Sequence, residues 1–321
     1  MHRTTMTWAL RAGALALALT LPTAAQAATA PVATTGGAAN IAQQTARLTG
    51  SVDPNADATT IQFQYGATSA YGAVTPEQPV TGDGNKAVTA DIAGLAPATT
   101  YHYRLIARNS KGLSKGADRS FKTKVQPLGV TFAATPNPVL TGGTTTLAGQ
   151  LTGTGNGGRD VVLQSNPFPY TQGFKAVGNK LVTDATGNFS FGLQMVAFNT
   201  QFRVALPDKP AVVSPIVVVS VSVRVSTHLG TKTVKRGHKL TFQGSVAPDK
   251  AGGTPIAIQK LNSKKHWVTI TGTVTHATGG NASEYSKHVT IRSGGKYRVY
   301  AGVTNGSYVP NTGTTVTIHT K

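Results

Sequence analysis

Eleven carboxylates and eight histidines are the residues in this chain best suited to proton transfer or metal binding, and it contains no cysteine. That absence excludes thiolate metal sites, cysteine nucleophiles and disulfides. Acid–base or nucleophilic catalysis needs such groups held together in matched roles. The carboxylates instead sit where turns form: Asp53 before Pro54, Asp83 before Gly84, Asp184 ahead of Ala185-Thr186-Gly187. In such contexts Asp bonds nearby backbone. Asp53-Pro54-Asn55-Ala56-Asp57 alternates oxygen side chains but lacks the later Gly and Glu of a calcium loop. There is no nucleophile elbow, P-loop or paired-histidine zinc motif. His102 stands alone in the first third, while His228, His238, His266, His276, His288 and His319 are scattered through the last. No two lie two apart along a strand face, so each reads as a surface residue. Trp267 could stack on a sugar or cover a core; the core is the expectation, with Phe174 in the comparable place upstream. The chain is therefore expected to be no enzyme, with no catalytic residue, no cofactor and no metal.

Charge gives a stronger signal. The formal net charge is +19, and it is unevenly spread. Residues 28–125 carry nine Lys and Arg against six Asp and Glu, and residues 126–222 carry five against three. Residues 223–321 carry fourteen against two. Two clusters dominate there: Lys232, Lys235, Arg236 and Lys239 with His238, then Lys260, Lys264 and Lys265 with His266. A near-neutral chain with one strongly basic end is drawn to polyanions. Sequence-specific nucleic-acid binding is not expected, because no recognition helix and little aromatic interleaving accompany the charge.

The elements that must position these residues read as strands. Gly and Pro number 36 and 17, charged residues are 13% of the chain, and Thr and Val are abundant, a balance that favours all-β structure with many turns. The N-terminus differs. His2, Arg3 and Arg11 precede the apolar run Ala12–Leu21, and Ala25-Gln26-Ala27 forms a small-x-small cleavage pattern. Residues 1–27 are thus expected to be a secretory signal peptide. No later apolar run is long enough to span a bilayer. Comparing the chain with itself at an offset of 95 residues aligns Gly142 with Gly237, Gly149 with Gly244, Leu163-Gln164 with Ile258-Gln259, and Phe202-Arg203-Val204 with Tyr297-Arg298-Val299. Residues 126–222 and 223–321 are read as two copies of one domain, too long for solenoid repeats. The second copy alternates over Lys239–Val246, Ile256–Lys260, Trp267–Thr271, Glu284–Ile291, Lys296–Gly302 and Thr314–His319. Between the copies, Ile216–Val225 runs without Gly or Pro, which predicts a stiff joint whose β edge needs cover.

Residues 28–125 carry other landmarks. In Gly94-Leu95-Ala96-Pro97-Ala98-Thr99-Thr100-Tyr101-His102-Tyr103-Arg104-Leu105 a turn leads into a strand. Tyr101, Tyr103, Leu105 and Ala107 are expected to face inward, and His102, Arg104, Ile106 and Arg108 outward. Tyr101 stands where its hydroxyl can bond back to upstream backbone, as a tyrosine corner. Gly116–Lys122 is read as the last strand. This stretch resembles the corner and following strand of fibronectin type III domains, in their bacterial variety. The two later copies are similar to bacterial Ig-like modules of exported proteins, on Lys235–Gly244, Pro255–Lys260, His266–Ile270 and Gly295–Val299. The resemblance implies three tandem Ig/fibronectin-type β-sandwiches, all-β, used for spacing, display or adhesion with no fixed ligand.

The expected function is that of a secreted, non-catalytic surface or extracellular binding protein. Its basic C-terminal domain would associate with an anionic cell-envelope polymer through Lys232, Lys235, Arg236, Lys239, Lys260, Lys264 and Lys265. The alternatives are a passive spacer with no dedicated ligand, or an accessory chain of an extracellular hydrolase.

Overall fold

A computed structural model describes Met1 and residues 29–321; apart from Met1, the expected signal peptide lies outside the described residues. Every regular element among the described residues is a strand, and the strands enclose three separate hydrophobic cores. The fold is a tandem of Ig/fibronectin-type β-sandwiches. The chain divides into two compact units, residues 1–124 and 125–321, the second holding two of the sandwiches.

In the first unit β1 (Val32–Thr35), β2 (Thr45–Asp53), β3 (Thr59–Gly66), β4 (Ala73–Val74), β5 (Gln78–Val80), β6 (Lys86–Ala93), β7 (Thr100–Asn109), β8 (Gly112–Lys115) and β9 (Arg119–Lys122) form two sheets. One runs β1-β2-β6; the other runs β4-β3-β7-β8, with β5 on β3 and β9 on β7. Alternation drives the packing. Leu48 and Val52 of β2 meet Ile61 and Phe63 of β3 and Tyr103 and Leu105 of β7, all buried, each such side chain worth roughly 1.5–3 kcal/mol when removed from water. Two expectations need correction. Ile106 does point away from that core, yet it is only 5% exposed; it is covered on the outer face, where Gln62, Leu113 and Lys115 share its shallow groove. The predicted last strand, Gly116–Lys122, also starts later, at Arg119; a Cβ on Gly116 would fall 2.3 Å from Thr35 Oγ1. That hydroxyl accepts the Leu105 N–H at 3.1 Å, so a β1 side chain takes the place of a ladder bond.

The second sandwich comprises β10 (Gly129–Thr135), β11 (Val139–Leu140), β12 (Thr144–Thr152), β13 (Asp160–Pro167), β14 (Lys175–Ala176), β15 (Leu181–Val182), β16 (Asn188–Gln194), β17 (Thr200–Leu206), β18 (Lys209–Val213), β19 (Val217–Val219) and β20 (Val221–Ser222). The third comprises β21 (Arg224–Val225), β22 (Thr233–Val234), β23 (Lys239–Ala247), β24 (Gly252–Leu261), β25 (Trp267–Ala277), β26 (Ser283–Thr290), β27 (Gly295–Ala301), β28 (Asn311–Thr312) and β29 (Val316–Thr320). The sheets β10-β12-β16 and β14-β13-β17-β18 enclose the second core. In the third, β25 pairs with β24 along its length and with β26 at its end, joining both sheets into one path.

The glycines that align at 95 residues have a physical reason. Gly142 and Gly237 turn at φ 73° and 85°, where other residues are strained. At Gly149 and Gly244 a Cβ would come within 2.0 and 2.1 Å of the Thr131 and Ser226 carbonyl oxygens. Phe189 and Tyr285 lie directly opposite these two glycines.

Within the second unit the joint is covered. Val221, Ser222 and Val223 are buried, with β11 parallel to β20 and Val309 N–H bonding Val221 O at 2.8 Å. Tyr308 packs against both neighbouring cores. Asn199, 7% exposed, ties the pieces. Its N–H and Nδ2 donate to Ser307 O and Gly306 O, each at 2.8 Å, and its Oδ1 accepts Val221 N–H at 2.7 Å. Asn199→Ala should cost roughly 2–4 kcal/mol, because it leaves buried backbone groups without partners. Urea unfolding followed by Trp267 fluorescence against far-UV circular dichroism checks it: the two curves should separate in the variant.

Candidate functional site

The basic residues of the last sandwich are placed by turns rather than by strand faces. Lys232 precedes β22, and its carbonyl receives His319 N–H from β29 at 2.8 Å. Lys235 and Arg236 form the turn before β23, closed by His238 N–H on Lys235 O at 3.0 Å. Lys239 opens β23 opposite Thr290. Lys264 and Lys265 occupy the turn between β24 and β25, which Asn262 pins through bonds with Lys265 and His266. Lys260 lies at the end of β24.

The structure brings the two sequence clusters together at one corner. Arg236 Nε donates to Arg292 O at 2.9 Å. Lys260 Nζ donates to the next carbonyl, Ser293 O, at 3.1 Å, and also to Ser293 Oγ; it lies 5.5 Å from the Tyr297 ring centroid. Consecutive carbonyls thus anchor one cation from each cluster, and Arg292 adds another charge. Lys235, Arg236, Lys239, Lys264, Lys265 and Arg292 are all exposed. Among the described residues no ion pair lies in 223–321; the four present are in the other two sandwiches.

The two carboxylates of this sandwich sit at its opposite end. Glu284 faces Ser245, six residues along β23 from Lys239, about 20 Å at the usual strand rise. Asp249 lies beyond the end of β23 and accepts the hydroxyls of Thr275, at 2.7 Å, and Ser283. The domain is therefore a charge dipole as well as a net cation.

Elsewhere the polar residues do structural work. Asp53 Oδ1 accepts Asn55 N–H and Asp83 Oδ1 accepts Gly84 N–H, each at 3.0 Å. Asp184 accepts the backbone and side-chain groups of Asn188 and the hydroxyl and N–H of Thr186, which hold its carboxyl down at about 2. His102 Nδ1 meets Asp118 Oδ2 at 2.8 Å, and this bond, with one from the Tyr71 hydroxyl, holds the Asp118 carboxyl below the usual range. The other six described histidines are exposed. Among the described residues no three His, Asp or Glu gather to hold a metal ion. No helix among them is long and apolar enough to cross a membrane.

Trp267 is half-buried and belongs to none of the three core clusters, which corrects the expectation that it covers the core. It lies under Arg298, 4.3 Å from guanidinium carbon to ring centroid, while Arg298 Nε donates to Gln259 Oε1 at 2.8 Å. Arg203 repeats this over Phe174 with Gln164, at 4.2 and 2.7 Å. Arg104 repeats it over Tyr71 with Gln64, at 4.6 and 2.9 Å. All three sandwiches thus carry one Gln–Arg–aromatic stack on the outer face of a sheet. Sequence reasoning found Gln164 and Gln259 as repeat anchors but missed their role, since the aromatic partner falls at a different offset in each domain. Tyr101 accepts Ala96 N–H on its hydroxyl at 2.9 Å. Tyr297, read from sequence only as a repeat anchor, donates its hydroxyl to Ser293 O four residues upstream at 2.8 Å, buttressing the basic corner.

No protein-family model matches the chain, and no curated protein matches it. The chain is similar to several solved structures, at TM-scores below 0.5. The chicken CNTN1 FN1–FN3 domains share 14% identity over 91% of this chain and 99% of that one, at a TM-score of 0.31. A tetra-tandem repeat in the extending region of a large adhesion protein shares 16% over 91% and 74%, at 0.29. The sensor domain of the anti-sigma factor RsgI4 in Pseudobacteroides cellulosolvens, in the longer of its two forms, shares 21% over 29% and 89%, at 0.24.

Two outcomes follow from this geometry. The Asp184 carboxyl titrates at about 2 folded against 3.8 ordinarily, so its stabilisation is present above about pH 4 and is lost as pH falls through about 2. Asp184→Ala should lower the melting temperature at pH 7, and the gap to the parent should close near pH 2. Arg298→Met should cost about 1–2 kcal/mol and shift Trp267 emission, both read in one denaturant titration.

Proposed function

We propose that the chain is an exported, non-catalytic surface or extracellular binding protein whose last sandwich associates with an anionic envelope polymer. One observation carries this reading: both basic clusters converge on Arg292–Ser293, while Asp249 and Glu284 lie at the other end. A corner with several exposed cations and, among the described residues, no side-chain carboxylate paired to them attracts an extended anion at long range. It releases that anion as salt screens it, over a Debye length of about 8 Å at physiological ionic strength. Lys235, Arg236, Lys239, Lys264 and Lys265 would make the exposed contacts, while Lys260 is tied to Ser293. Lys232 extends the same surface along β22. Wall polymers carrying phosphate or carboxylate, and anionic lipid headgroups, share the required chemistry.

Residues 28–125 would be a fibronectin type III-like module of bacterial kind, with Tyr101 as its corner, and residues 126–222 and 223–321 two Ig-like modules. The Asn199 clasp favours a spacer role for the middle module, presenting the basic one at a fixed angle.

Isolated envelope material provides the test. The mature protein should be retained at low salt and released as salt rises. The combined substitution Lys235→Gln, Arg236→Gln, Lys264→Gln and Lys265→Gln should lower retention by at least about tenfold, as expected for several lost charge contacts. Equal retention of parent and variant, or retention indifferent to salt, would leave the chain a spacer.

A further inference from the structure

The third sandwich has an unfilled strand position. On the side away from β23, β26 meets β25 only through Glu284 and Ser283; Tyr285–Thr290 have no strand partner there. On the side away from β24, Trp267–Thr275 of β25 are likewise unpaired. The two strands diverge from their joined end and leave a cleft of about 460 Å³. Ile270 and Thr271 line one wall, His288 and Thr290 the other, and Lys260 and Arg292 the mouth. The β25 wall, Trp267–Thr275, contains no charged residue, and Val268, Ile270 and Val274 are 47%, 42% and 44% exposed.

Lys287 is the unexpected residue in this strand. It stands opposite Phe242, which is fully buried, so it shares the core-facing side of β26 with Tyr285 and Val289. The second sandwich puts Phe191 at that place, opposite Leu147. The Lys287 side chain is half-buried, and among the described residues no hydrogen bond or ion pair reaches its ammonium. An inward charge on an edge strand can act as a guard against chance pairing. The fold does not require one, because the edges of β6 and β16 carry Val88, Ala90 and Ile92, and Phe189 and Phe191, on the same side. A guard also leaves the cationic lining of the cleft unexplained.

We infer that this cleft accepts an extended acidic polypeptide segment, which adds as a strand to the free edge of β26 and places a carboxylate on Lys287. Main-chain bonds along Tyr285–Thr290 would supply affinity, and alternate side chains specificity. The cations at the mouth, Lys260 and Arg292, complement acidic residues at one end of the segment. This site shares Lys260 and Arg292 with the corner proposed above for the polymer, but the free edge of β26 and Lys287 are no part of that corner, so each proposal can fail without the other.

The test titrates the mature protein with a labelled nine-residue peptide alternating valine and glutamate. Two controls are its form N-methylated at alternate amides and a glycine–glutamate peptide of equal charge. Saturable binding is expected, with amide hydrogen exchange slowed at Ser286–Thr290. N-methylation or Lys287→Gln should each weaken it at least about tenfold, whereas Lys264→Gln with Lys265→Gln should change it less than about threefold. Equal binding of the N-methylated or glycine–glutamate peptide, or indifference to Lys287→Gln, would overturn the proposal in favour of surface charge alone. Absence of binding, with Lys287→Val self-associating, would also overturn it and leave Lys287 a guard.

Discussion

Cations gathered at one corner of a small domain repel one another, and among the described residues no side-chain carboxylate pairs with them there. What holds them is the backbone. Arg292 O and Ser293 O, consecutive carbonyls at the start of the turn into β27, receive Arg236 and Lys260. Tyr297 fixes the same turn from below through Ser293 O. Carbonyl dipoles orient a cation without neutralising it, so the corner keeps its positive field. An ion pair at the same place would have cancelled it.

The same economy appears on the sheet faces. Each sandwich lays one arginine across an aromatic ring and bonds it to a glutamine on the neighbouring strand. A stack of this kind contributes on the order of 1 kcal/mol, and it shields a sheet face without apolar surface. In a chain without cysteine, three such stacks supplement cores that must hold the domains unaided. In the last sandwich the stack covers one face of the Trp267 ring.

Much of this was legible in the residues. Period-two alternation located the long strands, with Lys239–Val246 against β23 and Lys296–Gly302 against β27, because one buried face per strand fixes that pattern. The repeat offset exposed Gly149 and Gly244, whose reason is a backbone approach that no sequence pattern displays. The later start of the last strand of the first sandwich escaped notice, since a hydroxyl from Thr35, 70 residues from Leu105, replaces a ladder bond beside Gly116. The corner itself was half legible. Both clusters were visible, but their meeting depends on Arg292 and Ser293, which carry no motif. Lys287 was invisible as an inward residue until its register against Phe242 placed it there.

The central claim is that one corner of the last sandwich, and no other surface, engages a polyanion. Amide hydrogen exchange of the mature protein with and without inorganic polyphosphate tests it most directly. Protection is expected in the turns Lys235–Lys239, Asn262–His266 and Arg292–Ser293, with none around Asp249 and Glu284. Protection spread evenly over the three sandwiches, or centred on the end that holds the two carboxylates, would contradict it.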